Sequence, residues 1–315
     1  MRQLTPAVFS TAGLPEQRRV ELWEDHNAAA LIGLRCRTLT ATGLEATEIN
    51  LQLPRIHLAR VRGNSHVVER DQALIRRRPA GAIALFFSLA GEAFFYHDDG
   101  VRVVQPGEML ICDADRPFLR GFSQGLEELV VKIPRQVFAD ATGVDHLARP
   151  AVLGFGDGGN SFAHALARRV GAAARADDPR PVDEQTLLDL VAALRGNESP
   201  RSHRAAAQAY IDRHFADPAL SAARVAAAVG LSARHLSRVF AGTGASVPQY
   251  ILSRRLSAAR RLLERENRPV AEIAHRCGFT SAAHFSHAFR AHYGERATDV
   301  RRIASIGHSF GNPPS

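Results

Sequence analysis

The chain has 315 residues, of which 45% are hydrophobic and 23% charged, an ordinary composition for a soluble globular protein of about two domains. Its longest apolar run, "AGAIALFFSLAG" (Ala80–Gly91), is too short to span a bilayer, and Cys36, Cys112 and Cys277 are too scattered and too odd in number for a disulfide framework or a zinc site. The net charge of +8 is concentrated between Arg201 and Arg302, where 17 arginines face seven acidic residues, while the remainder carries 23 basic and 25 acidic residues. A basic segment joined to a near-neutral one points to nucleic-acid binding by one part and a different task for the other.

The first residues, "MRQLTPAVFS", lack a charged start followed by an apolar stretch, so no secretory leader and a cytoplasmic location are expected. Residues 1 to about 50 mix short helical patterns. From about 55 to 135 the text is β: "RIHLARVRG", "AIALFFSLAG", "EAFFYHDDG", "VRVVQPGEMLICDA" and "LEELVVKIP" are short runs rich in branched and aromatic residues. Turn signals separate them at Gly63-Asn64, Asp98-Asp99-Gly100 and Pro106-Gly107, the last suiting a type II turn. Strands at this spacing predict a barrel or a double-sheet jelly roll. Alternation places one of Phe86 or Phe87, and one of Phe94 or Phe95, on the inner face without choosing which.

After Pro134 the period becomes helical. "SFAHALARRVGAAARA" sets Phe162, Leu166 and Val170 on one face; "DEQTLLDLVAALRG" does the same with Leu187, Leu190, Val191 and Leu194. The stop "DDPRPV" between them predicts an antiparallel pair at about 160–195, its stripes covered by the domain's own core or by a partner subunit. "RGNESPRSH" (Arg195–His203) reads as a linker.

Beyond it, one phrase is written twice. In the first copy Val225, Ala226 and Val229 face inward on a short helix capped by Ser221. Gly230 ends that helix, Leu231 plugs the turn, and Ser232 caps a second helix whose Leu236, Val239 and Phe240 face inward. In the second copy Ile273 and Ala274 face inward, Gly278 turns, Phe279 plugs, Thr280 or Ser281 caps, and Phe285, Ala288 and Phe289 are buried. Each copy is a helix-turn-helix. The intervening "VPQYILSRRLSAARRLLERE" carries an apolar stripe over ~27 Å of helix. Such a spine can hold two recognition helices one turn of DNA apart, ~34 Å, so that a single polypeptide reads two successive major grooves.

Residues 203–302 resemble the DNA-binding domain of the AraC/XylS family of transcription regulators, on the strength of "LSAARVAAAVGLSARHLSRVF", "YILSRRLSAARRLL" and "VAEIAHRCGFTSAAHFSHAFRAHYG". The sequence departs from the family where Ala297 stands in place of a usual proline, and a slightly looser C-terminal end is expected there. The resemblance implies base-reading side chains at Arg234, Ser237 and Arg238 in the first unit and at Ala282, His284 and His287 in the second. Ser232, Arg254, Thr280 and Ser281 are phosphate-contact candidates, since helix N-termini and arginines fix register on the DNA backbone. His284 and His287 have no third ligand nearby in sequence, so no metal is expected.

The β text is similar to the cupin-like ligand-binding domain of one subgroup of the same family. The expected fold is α+β: an N-terminal cupin-like β-barrel with a helical pair, then an all-α C-terminal domain of two helix-turn-helix units joined by a long helix. The expected divisions are 1–197 for effector binding and dimerisation, 198–302 for DNA binding, and a disordered tail at 303–315. The family implies a homodimer that binds double-stranded promoter half-sites, answers a small-molecule effector, contacts RNA polymerase and activates nearby catabolic genes, with no catalysis and no cofactor. Two alternatives stay open: an effector-independent regulator whose barrel only dimerises, and an enzyme domain with an activated cysteine fused to a DNA-binding domain. An aromatic or acidic effector would suit the barrel text around Arg60 and Arg62.

Overall fold

The computed structural model describes residues 5–242 and 244–302; the tail expected at 303–315 lies outside them. The chain divides into two compact units, Met1–Ser202 and His203–Ser315.

The first unit runs β1 (Ala7–Ser10), α1 (Glu16–Ala30), β2 (Arg35–Thr38), β3 (Ala46–Gln52), β4 (His57–Gly63), β5 (His66–Arg70), α2 (Gln72–Arg77), β6 (Ala82–Ala90), β7 (Ala93–His97), β8 (Gly100–Val104), β9 (Glu108–Asp113), β10 (Phe118–Phe122), β11 (Leu126–Pro134), α3 (Arg135–Thr142), β12 (Ala151–Gly154), α4 (Ser161–Ala173) and α5 (Glu184–Ala193). Two antiparallel sheets form, ordered β1-β3-β4-β11-β6-β9-β12 and β2-β5-β10-β7-β8. Among the described residues neither sheet closes on itself, so the expected barrel is an open pair of stacked sheets. Strands also begin earlier than expected, with β1 and β2 inside the segment read as mixed helical text, while β3 lies in "LTATGLEATEINLQL", which reads as leading into strand.

The core lies between the sheets. Phe86, Leu110 and Val130 from the larger sheet meet Val68, Phe95, Phe118 and Phe122 from the smaller one, and Trp23 of α1 closes one side. β6 is buried on both faces: Ala84 and Phe86 point into this core, while Ile83, Leu85 and Phe87 are equally buried on the other. That double burial is why its sequence reads as an unbroken apolar run rather than an alternation. Helix α4 covers the outer face of the larger sheet, where Gly171 lets it approach Leu129 of β11, and α5 packs on α4 and α3. The apolar stripes of the pair are thus covered within the chain. The Pro106-Gly107 turn forms as read, with Gly107 at φ +89° and the Glu108 amide donating to the Gln105 carbonyl at 2.9 Å.

Arg70 is fully buried, and each of its three side-chain nitrogens is hydrogen-bonded. Its guanidinium donates to the carbonyls of Ala114, Gly33 and Arg78 at 2.6–2.8 Å and to Asp115 at 3.0 Å, stitching four segments together. A buried charge is tolerated when each of its nitrogens is hydrogen-bonded in this way.

Helix α6 (Pro200–His214) starts inside the segment read as a linker. Ser199 and Ser202 form its start by reciprocal hydrogen bonds, each hydroxyl accepting the other's amide. The second unit continues with α7 (Ala222–Ala228), α8 (Ala233–Ala241), α9 (Val247–Arg265), α10 (Val270–Arg276) and α11 (Ala282–Tyr293). α9 opens with a capping box between Ser246 and Gln249 and spans ~28 Å. Leu256, Ala259 and Leu263 of α9 pack against Ile273, Phe285 and Phe289, and Ala297 is buried in the same cluster.

Candidate functional site

The two repeated phrases fold alike down to single hydrogen bonds. In the first, Gly230 takes φ +70° and the Leu231 amide donates to the Ala226 carbonyl at 2.9 Å. In the second, Gly278 takes φ +84° and the Phe279 amide donates to the Ala274 carbonyl at 3.1 Å. In both, the preceding helix stops because its C-terminus enters the left-handed conformation that glycine adopts without steric cost. Ser232 then caps α8 by accepting the His235 amide at 3.2 Å, and Ser281 caps α11 by accepting the His284 amide at 3.3 Å. Of the two capping candidates in the second copy, Ser281 takes the role and Thr280 is exposed beside it.

Each second helix buries one face and offers the other. Leu236, Val239 and Phe240 of α8 are buried, as are Phe285, Ala288 and Phe289 of α11. Arg234, Ser237 and Arg238 are exposed at i, i+3 and i+4 of α8, one contiguous face, and neither arginine has an ion-pair partner among the described residues. Ala282, His284 and His287 are exposed on α11, together with Ala283, Ser286 and Arg290. Among the described residues no cluster of metal-ligating side chains accompanies the two histidines.

Arg254 is placed differently from the other phosphate candidates. It is half-buried on α9, with its Nε 2.5 Å from the Asp212 carboxylate of α6. Its charge has an internal partner, so a phosphate contact from it would have to be shared with that pair. The neighbouring Arg255 passed unnoticed in the sequence. It donates to the carbonyls of Phe215 and Asp217, both at 2.8 Å, and so fastens the α6–α7 connection to the spine. Its apolar neighbours follow a helical stripe, but nothing in the spacing marks it as a strut.

In the first unit, a cavity of about 40 Å³ lies between the sheets, walled by Trp23, Phe86, Phe118 and Phe122 with the polar groups of His66, Arg120 and Glu128. Phe86 and Phe95, not Phe87 and Phe94, are the inward aromatics. Arg60 and Arg62 do not belong to the cavity; both pair with Glu127. Arg120 went unremarked in the sequence, although "FLRGF" puts it on the same face of β10 as two phenylalanines at period two. Burial holds the His66 imidazole below its usual pKa, with the Arg120 charge adding to the effect.

All three cysteines are buried. Burial pushes the Cys36 and Cys112 thiols up to about 12 and that of Cys277 up to about 11. A nucleophilic cysteine needs the opposite shift. Among the described residues no helix is long and apolar enough to cross a membrane.

A family model described as an AraC-binding-like domain matches residues 23–210, more than half of the chain, and one described as a helix-turn-helix domain matches residues 225–303. The transcriptional activator NphR of Rhodococcus sp is 24% identical over 258 residues, 76% of this chain and 75% of that one. The transcriptional activator RhrA of Rhizobium meliloti is 33% identical over 125 residues; the match covers 38% of this chain and only 40% of RhrA. The AraC-like transcriptional activator CuxR has a similar fold, with a TM-score of 0.50 at 20% identity over 81% of this chain and 95% of that one.

Proposed function

Because this chain belongs to the AraC family of transcription regulators, we propose that it binds promoter DNA sequence-specifically through α8 and α11 and activates transcription of nearby genes. The observation that carries the reading is the doubled turn: two glycine-hinged helix pairs with matching hydrogen bonds, each exposing a polar face on its second helix. In this reading Arg234 and Arg238 read base edges, with Ser237, Ala282, His284 and His287 completing the two surfaces. Arginine bidentate to guanine is the commonest specific contact in the major groove. Ser232, Thr280 and Ser281, at helix N-termini, hold phosphates and fix register, and Arg254 does so only alongside Asp212. The names of NphR and RhrA as activators support activation over repression. Residues 1–197 form the effector-binding and dimerising part, 198–302 the DNA-binding part, and the assembly acts in the cytoplasm as a homodimer beside RNA polymerase.

The effector site in this reading is the inter-sheet cavity, the place where aromatic walls and buried polar groups converge. A second reading has one observation in its favour. At about 40 Å³ the cavity is small, as it would be if the sheets only supported assembly and no effector entered. The experiment for the regulator itself is fluorescence-anisotropy titration of the full chain against the DNA upstream of its own gene and against a shuffled duplex, across a salt series. Tighter binding to the upstream fragment at every salt concentration is expected; equal binding to both would remove the sequence-specific reading.

A further inference from the structure

The fold does not account for the ion pair between Arg120 and Glu128. Arg120 is 3% exposed and Glu128 6%. Two guanidinium nitrogens donate to the two carboxylate oxygens, at 3.1 Å and 2.7 Å. The guanidinium carbon lies 4.0 Å from the centre of the Phe86 ring and 4.9 Å from that of Phe122. Its Nε makes no hydrogen bond to any described residue. A buried ion pair is usually no more stabilising than well-packed apolar residues of the same volume, so stability alone does not explain its place in an aromatic core.

Arg70 supplies the contrast. Equally buried, it binds three backbone carbonyls and a carboxylate, and so holds the fold together. Arg120 binds one side-chain carboxylate and no carbonyl among the hydrogen bonds it makes, and that single partner can be exchanged. The backbone beside Glu128 is also irregular. Glu127 pairs with Ala90 but Glu128 with Ser88, leaving Leu89 of β6 as an extra residue. Bulges of this kind recur where a sheet re-aims side chains at a site. Both members of the ion pair line the cavity.

We propose that the inter-sheet cavity binds a small monocarboxylate with an apolar body, the ligand's carboxylate taking the place of Glu128 on Arg120. The inference rests on the reading of the cavity as the effector site and names the ligand class. In the free chain Glu128 stands in for the ligand. When the ligand anion enters, it displaces the Glu128 side chain from the guanidinium and from the space beside it, and no covalent bond forms or breaks.

The test is calorimetric titration of the full chain with isobutyrate and benzoate, and with isobutyramide and benzamide as neutral counterparts. The acids bind and the amides do not. Glu128→Gln removes the internal competitor, so the acids bind it at least about tenfold more tightly. The double variant Arg120→Met/Glu128→Leu replaces the pair by apolar bulk, stays folded and binds neither acid. The proposal is overturned if no acid binds, if the amides bind as well as the acids, if the double variant still binds acids, or if Glu128→Gln gains nothing. DNA selectivity measured on the same samples separates the two readings. Selective DNA binding without acid binding sinks only the ligand class, whereas a neutral compound found in the cavity leaves the effector reading standing.

Discussion

The guanidinium of Arg255 lies so close to Gly278 that a Cβ on the glycine would sit 2.9 Å from the arginine's Nε. The same Cβ would stand 2.7 Å from the Phe215 carbonyl and 3.0 Å from that of Ala216, both backbone atoms that cannot swing aside. The turn of the second helix-turn-helix is therefore pressed against the α6–α7 connection, with Arg255 as the strut between them. Gly230, at the same place in the first copy, has nothing within 4 Å of an added Cβ. Both glycines have positive φ. Gly230→Ala should cost only the left-handed penalty, about 1–2 kcal/mol. Gly278→Ala should cost that plus the clash, a further ~1–3 kcal/mol as for overpacking elsewhere. Urea denaturation followed by circular dichroism at 222 nm checks the ranking, and equal costs would refute the close junction.

Cys36, Cys112 and Cys277 should be inert to a thiol-specific reagent at pH 8 in the folded chain and all react once it is unfolded in guanidinium. Burial both hides each sulfur and disfavours its thiolate, with pKa values near 12, 12 and 11. Rapid reaction of Cys36 or Cys112 in the native chain would favour the alternative of an enzymatic first unit.

The parts of this protein that were legible in the sequence are those in which one residue type answers one local demand. Gly230 and Gly278 are needed for positive φ, and a hydroxyl for each cap, so both turns could be read from letters, with only the choice of Ser281 over Thr280 left to the structure. The inner face of β6 could not. Phe86 and Phe87 are both buried, on opposite faces of a central strand, and alternation gives parity without a sign. Strands β1, β2 and β12 have four residues each, too few to establish a period against their surroundings. Pro200 sat in polar text that looked like a linker, although proline in the first turn of a helix is itself a start signal. Arg120 was missed because its partner Glu128 belongs to another strand, and only the register brings them together.

Acidification should weaken the first unit. His66 is buried, donates from Nδ1 to the Asn64 carbonyl at 2.7 Å and packs on Phe122, and its burial disfavours the charged form. His57, bonded to Asn50 and Gln52, is shifted the same way by the same cause. The unfolded chain takes up these protons near pH 6.5 and the folded chain only below that, so stability falls as pH drops from 6.5 towards the depressed folded values. Trp23, the single tryptophan and buried in this unit, reports the transition by fluorescence. The urea midpoint should decline from pH 7.5 to 5.5, and less steeply in His66→Asn. An unchanged slope in that variant would mean the ring is protonated, or exposed, in the native state.

Arg234 and Arg254 separate recognition from support within the second unit. Arg234 is exposed on α8 with no ion-pair partner among the described residues, whereas Arg254 is half-buried against Asp212. If Arg234 reads a base, Arg234→Ala costs about 1–3 kcal/mol on the preferred duplex, roughly ten- to a hundredfold in affinity, and little on a shuffled one. A phosphate contact would instead weaken both duplexes alike and lower the salt slope by about one ion. Arg254→Met should combine a weak loss of affinity, equal on both duplexes because its phosphate contact is shared with Asp212, with a loss of stability. Breaking a pair that holds α9 to α6 lowers the melting temperature by a few degrees, about 1 kcal/mol, while the ratio of affinities for the two duplexes stays as in the wild type. Anisotropy titrations of both variants on both duplexes, with melting curves of the same samples, resolve the roles. A loss of sequence preference in Arg254→Met with no change in melting would move that arginine from the spine to the interface.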